Sequence, residues 1–312
     1  DGRELIVDPS IYSYSQTPLT HYFWGSWAHN IILIDGKEQA RHCVPGCELV
    51  TKGENEWFSL ESFDFVSSEY MEGYAPNPFD PQGQRFGYPK ALTEGFDDSF
   101  THKRAIFYVK PGYWILCDQV LGQDDDEHTL NQLFHLGPIA TPEGEQPYTP
   151  GGIKVCDKVV YSHNPGFSDI ALVPVDKDAT VTLHSGELNP TRGWWGTSGE
   201  SPLWEVDYAQ SGVLPQRMDV VLYPLKDERY VFPETHRLYA DAHTTAFEIV
   251  GEGFHDTFIL CDDEAGEINI ESALHGSLVF KGRALLARQD GSCYAIKPEV
   301  VRVDGKDVTV SE

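Results

Sequence analysis

The sequence has 312 residues, of which 40% are hydrophobic, 12% aromatic and 23% charged, with 49 acidic against 23 basic side chains for a formal charge of −26. That mixture is too apolar for a disordered chain, and no run approaches the roughly 18–20 consecutive apolar residues of a membrane-spanning helix. An acid excess of this size also argues against nucleic acid as a partner, since such proteins present a basic surface.

Short apolar runs with β-branched and aromatic bias follow one another along the chain, and they predict strands. In order they are Glu4–Val7, Ile31–Ile34, Ala105–Val109, Tyr113–Cys117, Lys154–Tyr161, Ala179–Leu183 and Met218–Tyr223. Gly, Pro, Asn and Asp clusters separate them as turns, for example Asp35-Gly36 and Pro150-Gly151-Gly152. Lys103–Val109 and Tyr113–Val120, joined by Lys110-Pro111-Gly112, predict a hairpin. The stretch Arg229–His243 breaks the rhythm and marks a candidate boundary. Beyond it, Phe247–Val250, Thr257–Cys261, Ile268–Ile270, Ser277–Lys281 and Arg283–Arg288 predict a smaller terminal sheet. Hardly any segment carries a capped helical period. The expected fold is therefore all-β: a large multi-sheet antiparallel β-sandwich over residues 1–230, and a small antiparallel β subdomain over residues 231–312.

Six cysteines (Cys43, Cys47, Cys117, Cys156, Cys261 and Cys293) are too sparse for a disulfide-built scaffold. Cys43 and Cys47 beside His42 lack a second pair at zinc-site spacing, so buried thiols or one local disulfide are the expectation. The acidic run Asp124–Glu127 has no calcium-loop spacing and reads as a solvated loop tip.

The first 40 residues hold the candidate site. Asp8 ends an apolar run just before Pro9-Ser10, and His29 lies just before another run. A carboxylate and an imidazole at the ends of neighbouring strands can converge on one cation, and zinc accepts this oxygen–nitrogen mixture. The plainer reading is an Asp capping a turn and a His bonded to backbone.

Asp1-Gly2-Arg3-Glu4-Leu5-Ile6-Val7-Asp8-Pro9 with Tyr14, followed by Ala28-His29-Asn30-Ile31-Ile32-Leu33-Ile34-Asp35-Gly36 and Gln39, resembles the signature of the heparinase II/III-like polysaccharide lyases. His102-Lys103-Arg104, Tyr113–Asp118 and Phe134-His135-Leu136 continue the resemblance in order, and Arg192-Gly193-Trp194 and Leu222–Leu225 continue it more loosely. It extends over about the first 225 residues. The family pairs an α/α toroid with a multi-sheet β-sandwich and cleaves uronic-acid polysaccharides, of alginate or heparin and heparan sulfate type, by β-elimination. The resemblance thus implies that this chain is the β-sandwich half of such a lyase, with a structural zinc held by Asp8, His29 and a further His upstream of Asp1. It also implies that the principal base and the groups neutralising the substrate carboxylate lie in an upstream toroid, the expected partner. Secretion or export to a periplasm is the expected localisation, with the cytoplasm an alternative for an exo-acting enzyme on oligosaccharides.

Abstracting the proton next to a uronate carboxylate needs charge neutralisation, a base, and an acid for the leaving oxygen. Tyr14 and Tyr22 flank the metal segment and are the candidate catalytic contacts within this chain, weighed against packing inside the sandwich. His102 and His135 favour inter-strand hydrogen bonding. Among the tryptophans Trp24, Trp27, Trp194 and Trp195, the pair Trp194 and Trp195 in its Gly-flanked segment is the candidate sugar-stacking surface, against a core role. A non-catalytic carbohydrate-binding scaffold is the alternative function. A hydrolase with paired carboxylates finds no distinguishing spacing.

Overall fold

The computed structural model describes residues 2–9, 17–40, 55–76, 95–140, 148–196, 201–226 and 229–310. The Cys43/Cys47 and Tyr14 readings fall outside the described residues. Within them the chain folds into four stacked antiparallel sheets separated by three hydrophobic cores.

The second layer organises the rest. It is an eight-stranded sheet running, from edge to edge, Ile153–Cys156, Val159–Ser162, Asp169–Pro174, Gln216–Leu225, Trp114–Leu121, Thr101–Val109, Phe63–Tyr70 and Glu56–Ser59. Side chains alternate across a strand, and here both faces are apolar. Phe107, Ile115, Ala171, Val173 and Val221 face one core, while Ile106, Leu116, Leu172 and Val220 face the other. Asp169–Pro174 is accordingly buried at every position. The two edge strands are four residues each; Trp57 and Val155 on them are exposed.

A four-stranded sheet of Ile32–Ile34, Glu127–Leu136, Trp204–Val213 and Thr180–His184 covers the second of those faces through Ile32, Leu130, Phe134 and Val206. The other face packs on a five-stranded sheet of Glu234–Ala240, Thr244–Gly251, Phe254–Cys261, Ala284–Arg288 and Cys293–Ile296, through Phe247, Phe258 and Leu286. That sheet is apolar on both sides too. Ala246, Ile259 and Leu285 meet Leu278, Phe280 and Val301 of a last four-stranded sheet, Ile268–Ser272, Gly276–Lys281, Val300–Val303 and Lys306–Asp307.

The predicted hairpin is present, with Thr101–Val109 pairing antiparallel with Trp114–Leu121. Two other readings need correction. Glu4–Val7 makes only an isolated bridge, Ile6 with Leu136, so Asp8 follows an extended segment rather than a strand. Lys154–Tyr161 is two strands turning at Asp157 and Lys158, both at positive φ, where an uninterrupted apolar count hides the turn. Arg229–His243 contains the strand Glu234–Ala240, whose polar residues and register shift between Arg237 and Tyr239 suit the edge of a sheet.

One helix escaped the strand pattern. Pro18–Trp24 spans seven residues, too few to show a helical period. It starts where local chemistry dictates: the Thr17 hydroxyl accepts from Thr20 N at 3.2 Å, and Pro18 opens the first turn without a donor to lose. A 3₁₀ turn over Ser26–Ala28 follows, and Tyr22, Phe23 and Ala28 bury together against the first sheet layer.

Candidate functional site

The segment before the helix and the strand after it meet at Asn30. Its side-chain amide donates to Val7 O at 2.9 Å, and its Oδ1 accepts from His135 N at 2.7 Å. Val7 N in turn donates to His135 O at 2.9 Å, and the Arg104 guanidinium donates to Asn30 O. Residues 2–9 are thus tied to strand Glu127–Leu136 without joining its ladder. These ties bring Asp8 and His29 together: His29 Nδ1 lies 3.1 Å from Asp8 Oδ2, with the two side chains 33% and 66% exposed. Among the described residues no group of three or more His, Cys, Asp or Glu side chains could hold a metal. The pair offers the oxygen and nitrogen donors that zinc takes, and it leaves two of the four positions of a closed structural site to other ligands.

Tyr22, 5% exposed, is linked to Asn30 through His135. Its hydroxyl lies 3.2 Å from Glu205 Oε2 and 3.3 Å from His135 Nε2. Burial, reinforced by the Glu205 charge, raises this phenol well above its ordinary value, so it remains protonated. Glu205 also accepts from Gly193 N at 2.9 Å and from Arg192 Nε at 2.5 Å. Burial alone would raise the Glu205 carboxyl, but His135 and Arg192 outweigh it and hold it at about 2. Arg192 reaches Asp207 Oδ2 at 3.0 Å and lies 4.1 Å from the Trp27 ring centre, a cation–π contact. Gly193 is at φ +70°, and a Cβ there would sit 2.6 Å from Ser185 Cα, so the position requires glycine.

A second buried carboxylate fixes the 3₁₀ turn. Glu38 accepts from Ser26 N, and burial raises its pKa to about 7 against the opposing pull of the Ser26 and Trp27 amides and His29. A Cβ on Gly25 would lie 2.5 Å from Glu38 Oε2, so a larger residue there would displace the carboxylate.

Both remaining histidine candidates are interior. His102 Nε2 lies 2.9 Å from Asp118 Oδ1, in a cluster where Arg104 donates to both carboxylate oxygens and Gln132 donates at 2.8 Å. Trp195 is buried with Val7 and Leu203 and stands edge-on to Tyr148. Trp194 is half-buried, its indole N–H donating to Glu187 O at 2.7 Å. Asp124 to Glu127 are exposed, and Asp124 pairs with His128 at 2.9 Å. The described cysteines Cys117, Cys156, Cys261 and Cys293 are free thiols.

Sequence reasoning singled out neither Glu205 nor Glu38. Glu205 and Asp207 stand two apart in the otherwise apolar Trp204–Tyr208, a spacing that puts two carboxylates on one face and signals a buried cation opposite them. For Glu38 the sequence carries no such signal.

Comparison with known proteins adds the following. A family model described as "Heparinase II/III-like, C-terminal" matches residues 1–200. No curated protein matches the chain. A crystal structure titled heparinase III superposes with a TM-score of 0.55 at 15% identity, covering 84% of this chain and 34% of that one. A heparan sulfate lyase from Pedobacter heparinus superposes with a TM-score of 0.53 at 12% identity, covering 99% of this chain and 36% of that one. The chain therefore spans about a third of the length of these structures, and at such identities the likeness is one of fold.

Proposed function

Because the chain belongs to the heparinase II/III-like family through its C-terminal domain, we propose that it is the β-sandwich half of a polysaccharide lyase that cleaves uronic-acid polysaccharide by β-elimination. The heparin and heparan sulfate type is favoured over alginate because the superposed structures are a heparan sulfate lyase and a heparinase III. The observation carrying the site assignment is the convergence of Asp8 and His29 at 3.1 Å on two segments that share Asn30. These two side chains would hold zinc together with a histidine from a preceding strand, as the sequence resemblance implies. Zinc would supply folding energy there, by cross-linking segments that otherwise meet through few bonds.

The chain's own residues build the platform under that position. Asn30 sets the separation of the two ligand segments. The Glu205–Arg192 pair anchors the Trp194 segment, and Tyr22, protonated and buried, ties the helix Pro18–Trp24 to the same carboxylate. The base and the carboxylate-neutralising groups belong, in this reading, to a toroidal partner domain. Export to a periplasm or the exterior fits such a substrate.

The test is absorbance of the unsaturated uronate product. The complete protein is offered heparan sulfate, heparin, chondroitin sulfate and alginate separately. Product from one of them establishes the lyase and names its substrate. No product from any of the four, with the protein folded and metal-loaded, overturns the reading and leaves a binding scaffold. Metal analysis of the same sample should find about one zinc per chain, lowered in His29→Ala.

A further inference from the structure

At the start of strand Glu127–Leu136, His128 presents each of its ring nitrogens to a carboxylate. Nδ1 lies 2.7 Å from Asp35 Oδ2, and Nε2 lies 2.9 Å from Asp124 Oδ1. The residue is 8% exposed. An ionised carboxylate accepts and cannot donate, so both contacts are hydrogen bonds only while both ring nitrogens carry a proton. The geometry therefore specifies the imidazolium.

Its surroundings supply more acid than base. The Asp35-Gly36 turn brings Asp35 and Lys37, and the segment before strand Thr101–Val109 brings Asp97 and the exposed Asp98. That segment also brings Phe100, whose ring stands edge-on to the imidazole at 4.9 Å. The connection after strand Trp114–Leu121 carries Asp124, Asp125 and Asp126, followed by Glu127, all exposed. Gln216 donates to His128 O at 2.9 Å and adds no charge. Lys37 is bound to Asp97 at 2.9 Å, and Asp97 stands close enough to Asp124 for their charges to oppose. Burial disfavours a charged His128, but the bonds to Asp124 and Asp35 outweigh it and raise the imidazole above its ordinary value.

Loss of that proton leaves one donor for two carboxylates. Asp35 has other ties: its Oδ1 accepts from Thr129 N at 2.9 Å, and its own N donates to Thr129 O at 2.8 Å. Asp124 Oδ1 otherwise accepts from Asp126 N at 3.1 Å, a bond inside its own loop. Asp124 is thus the partner released, and Lys37 is then the cation left among Asp35, Asp97 and Asp124. We propose that His128 is a protonation latch for the acidic loop 122–126: the imidazolium holds Asp124 against the Asp35 turn, and the neutral ring lets the loop swing free. Because the folded value is raised, the latch is closed below about pH 6.5 and opens as pH rises through that folded value. Opening presents Asp124, Asp125 and Asp126 to solvent together, so this surface attracts cations more strongly in alkaline medium. The latch needs neither the zinc nor the polysaccharide of the proposed function.

The experiment titrates the 312-residue chain with isotope-labelled histidine rings, followed by nuclear magnetic resonance. The His128 signal is the one missing from His128→Gln or, if that variant fails to fold, the one displaced in Asp124→Asn. Its midpoint should lie above the ordinary value of about 6.5, and Asp124→Asn should move it down. In parallel, a protease that cuts before aspartate is applied at pH 6 and pH 8.5, and cleavage within the loop is identified by fragment mass. Each rate is divided by that of an unstructured peptide of the same sequence. Relative cleavage of the parent should be about fivefold faster at pH 8.5, the size of one lost hydrogen bond. In the surface variant Asp124→Asn the amide accepts from a charged ring or donates to a neutral one, so the ratio should fall to about one. Glu38, buried beyond the same turn, also titrates near neutrality, and Glu38→Gln should leave the ratio at about fivefold. A His128 midpoint at or below about 6.5, equal relative cleavage of the parent at the two pH values, a pH dependence that survives Asp124→Asn, or one that vanishes in Glu38→Gln overturns the proposal.

Discussion

Two clusters of ionisable side chains are linked through Asn30 and His135, and they differ in how they are held. Asp8 and His29 are partly open to water, and their side chains meet at 3.1 Å. Tyr22, His135, Arg192 and Glu205 are buried, and Glu205 accepts from Gly193, Arg192 and Tyr22 together. An exposed pair adds little to stability and is free to exchange its partner for a metal. A buried set is costly to break, because any deletion leaves a desolvated charge behind. The contrast is between an open pair that can exchange partners and a buried set that cannot.

The largest effect expected from breaking that contrast is at Glu205. Glu205→Ala leaves Arg192 with Asp207 as its remaining carboxylate and deprives Gly193 N and the Tyr22 hydroxyl of their acceptor, and should lower unfolding free energy by about 3–5 kcal/mol in urea titrations. A loss under about 1 kcal/mol would mean the buried set is not costly to break. The pH dependence has a definite sign. The folded carboxyl is depressed to about 2, so its contribution is present above its ordinary value near 4.5 and disappears as pH falls through about 2. Acid titration of the parent against Glu205→Ala should therefore converge below that window.

Asn30→Ala comes next. It removes the partners of Val7 O and His135 N, and leaving buried polar groups unpaired costs about 1–3 kcal/mol. Faster proteolysis near residues 2–9 should accompany it, whereas Glu205→Ala should not single out that segment.

Glu38 responds to pH in the opposite direction. Its folded pKa is raised to about 7, so stability is full below about 4.5 and declines as pH rises to about 7. Glu38→Gln should flatten that decline, visible as a smaller difference in melting temperature between pH 5 and pH 8. An identical pH dependence in the two proteins would contradict the assignment.

His29→Ala should have the smallest effect without metal, under about 1 kcal/mol in the presence of a chelator. With zinc added to the complete protein, the gap between parent and variant should widen.

The layered β architecture was legible because turn residues and apolar runs carry it locally: the Ala105–Val109 and Tyr113–Cys117 runs and their Pro-Gly turn became a hairpin with little change. The helix Pro18–Trp24 was not, since seven residues span about two turns and its evidence is a single cap. Asp8 and His29 could be paired from the sequence through the family resemblance. Glu38 could not, because its partners are backbone amides of the Ser26 turn, and backbone contacts leave no residue-type signature.

Sealing both faces of the eight-stranded sheet leaves it only two places to go wrong. An open ladder of unpaired amides invites a strand from another molecule, and Trp57 and Val155 expose apolar surface on those borders. Each border strand is just four residues long, too brief a template for stable recruitment. Glu56 adds charge on one border, held there by Arg283 and Lys297, and Lys154 adds it on the other. Neutralising these guards, for instance with Lys154→Val beside Val155, should increase self-association on concentration, read by light scattering against the parent.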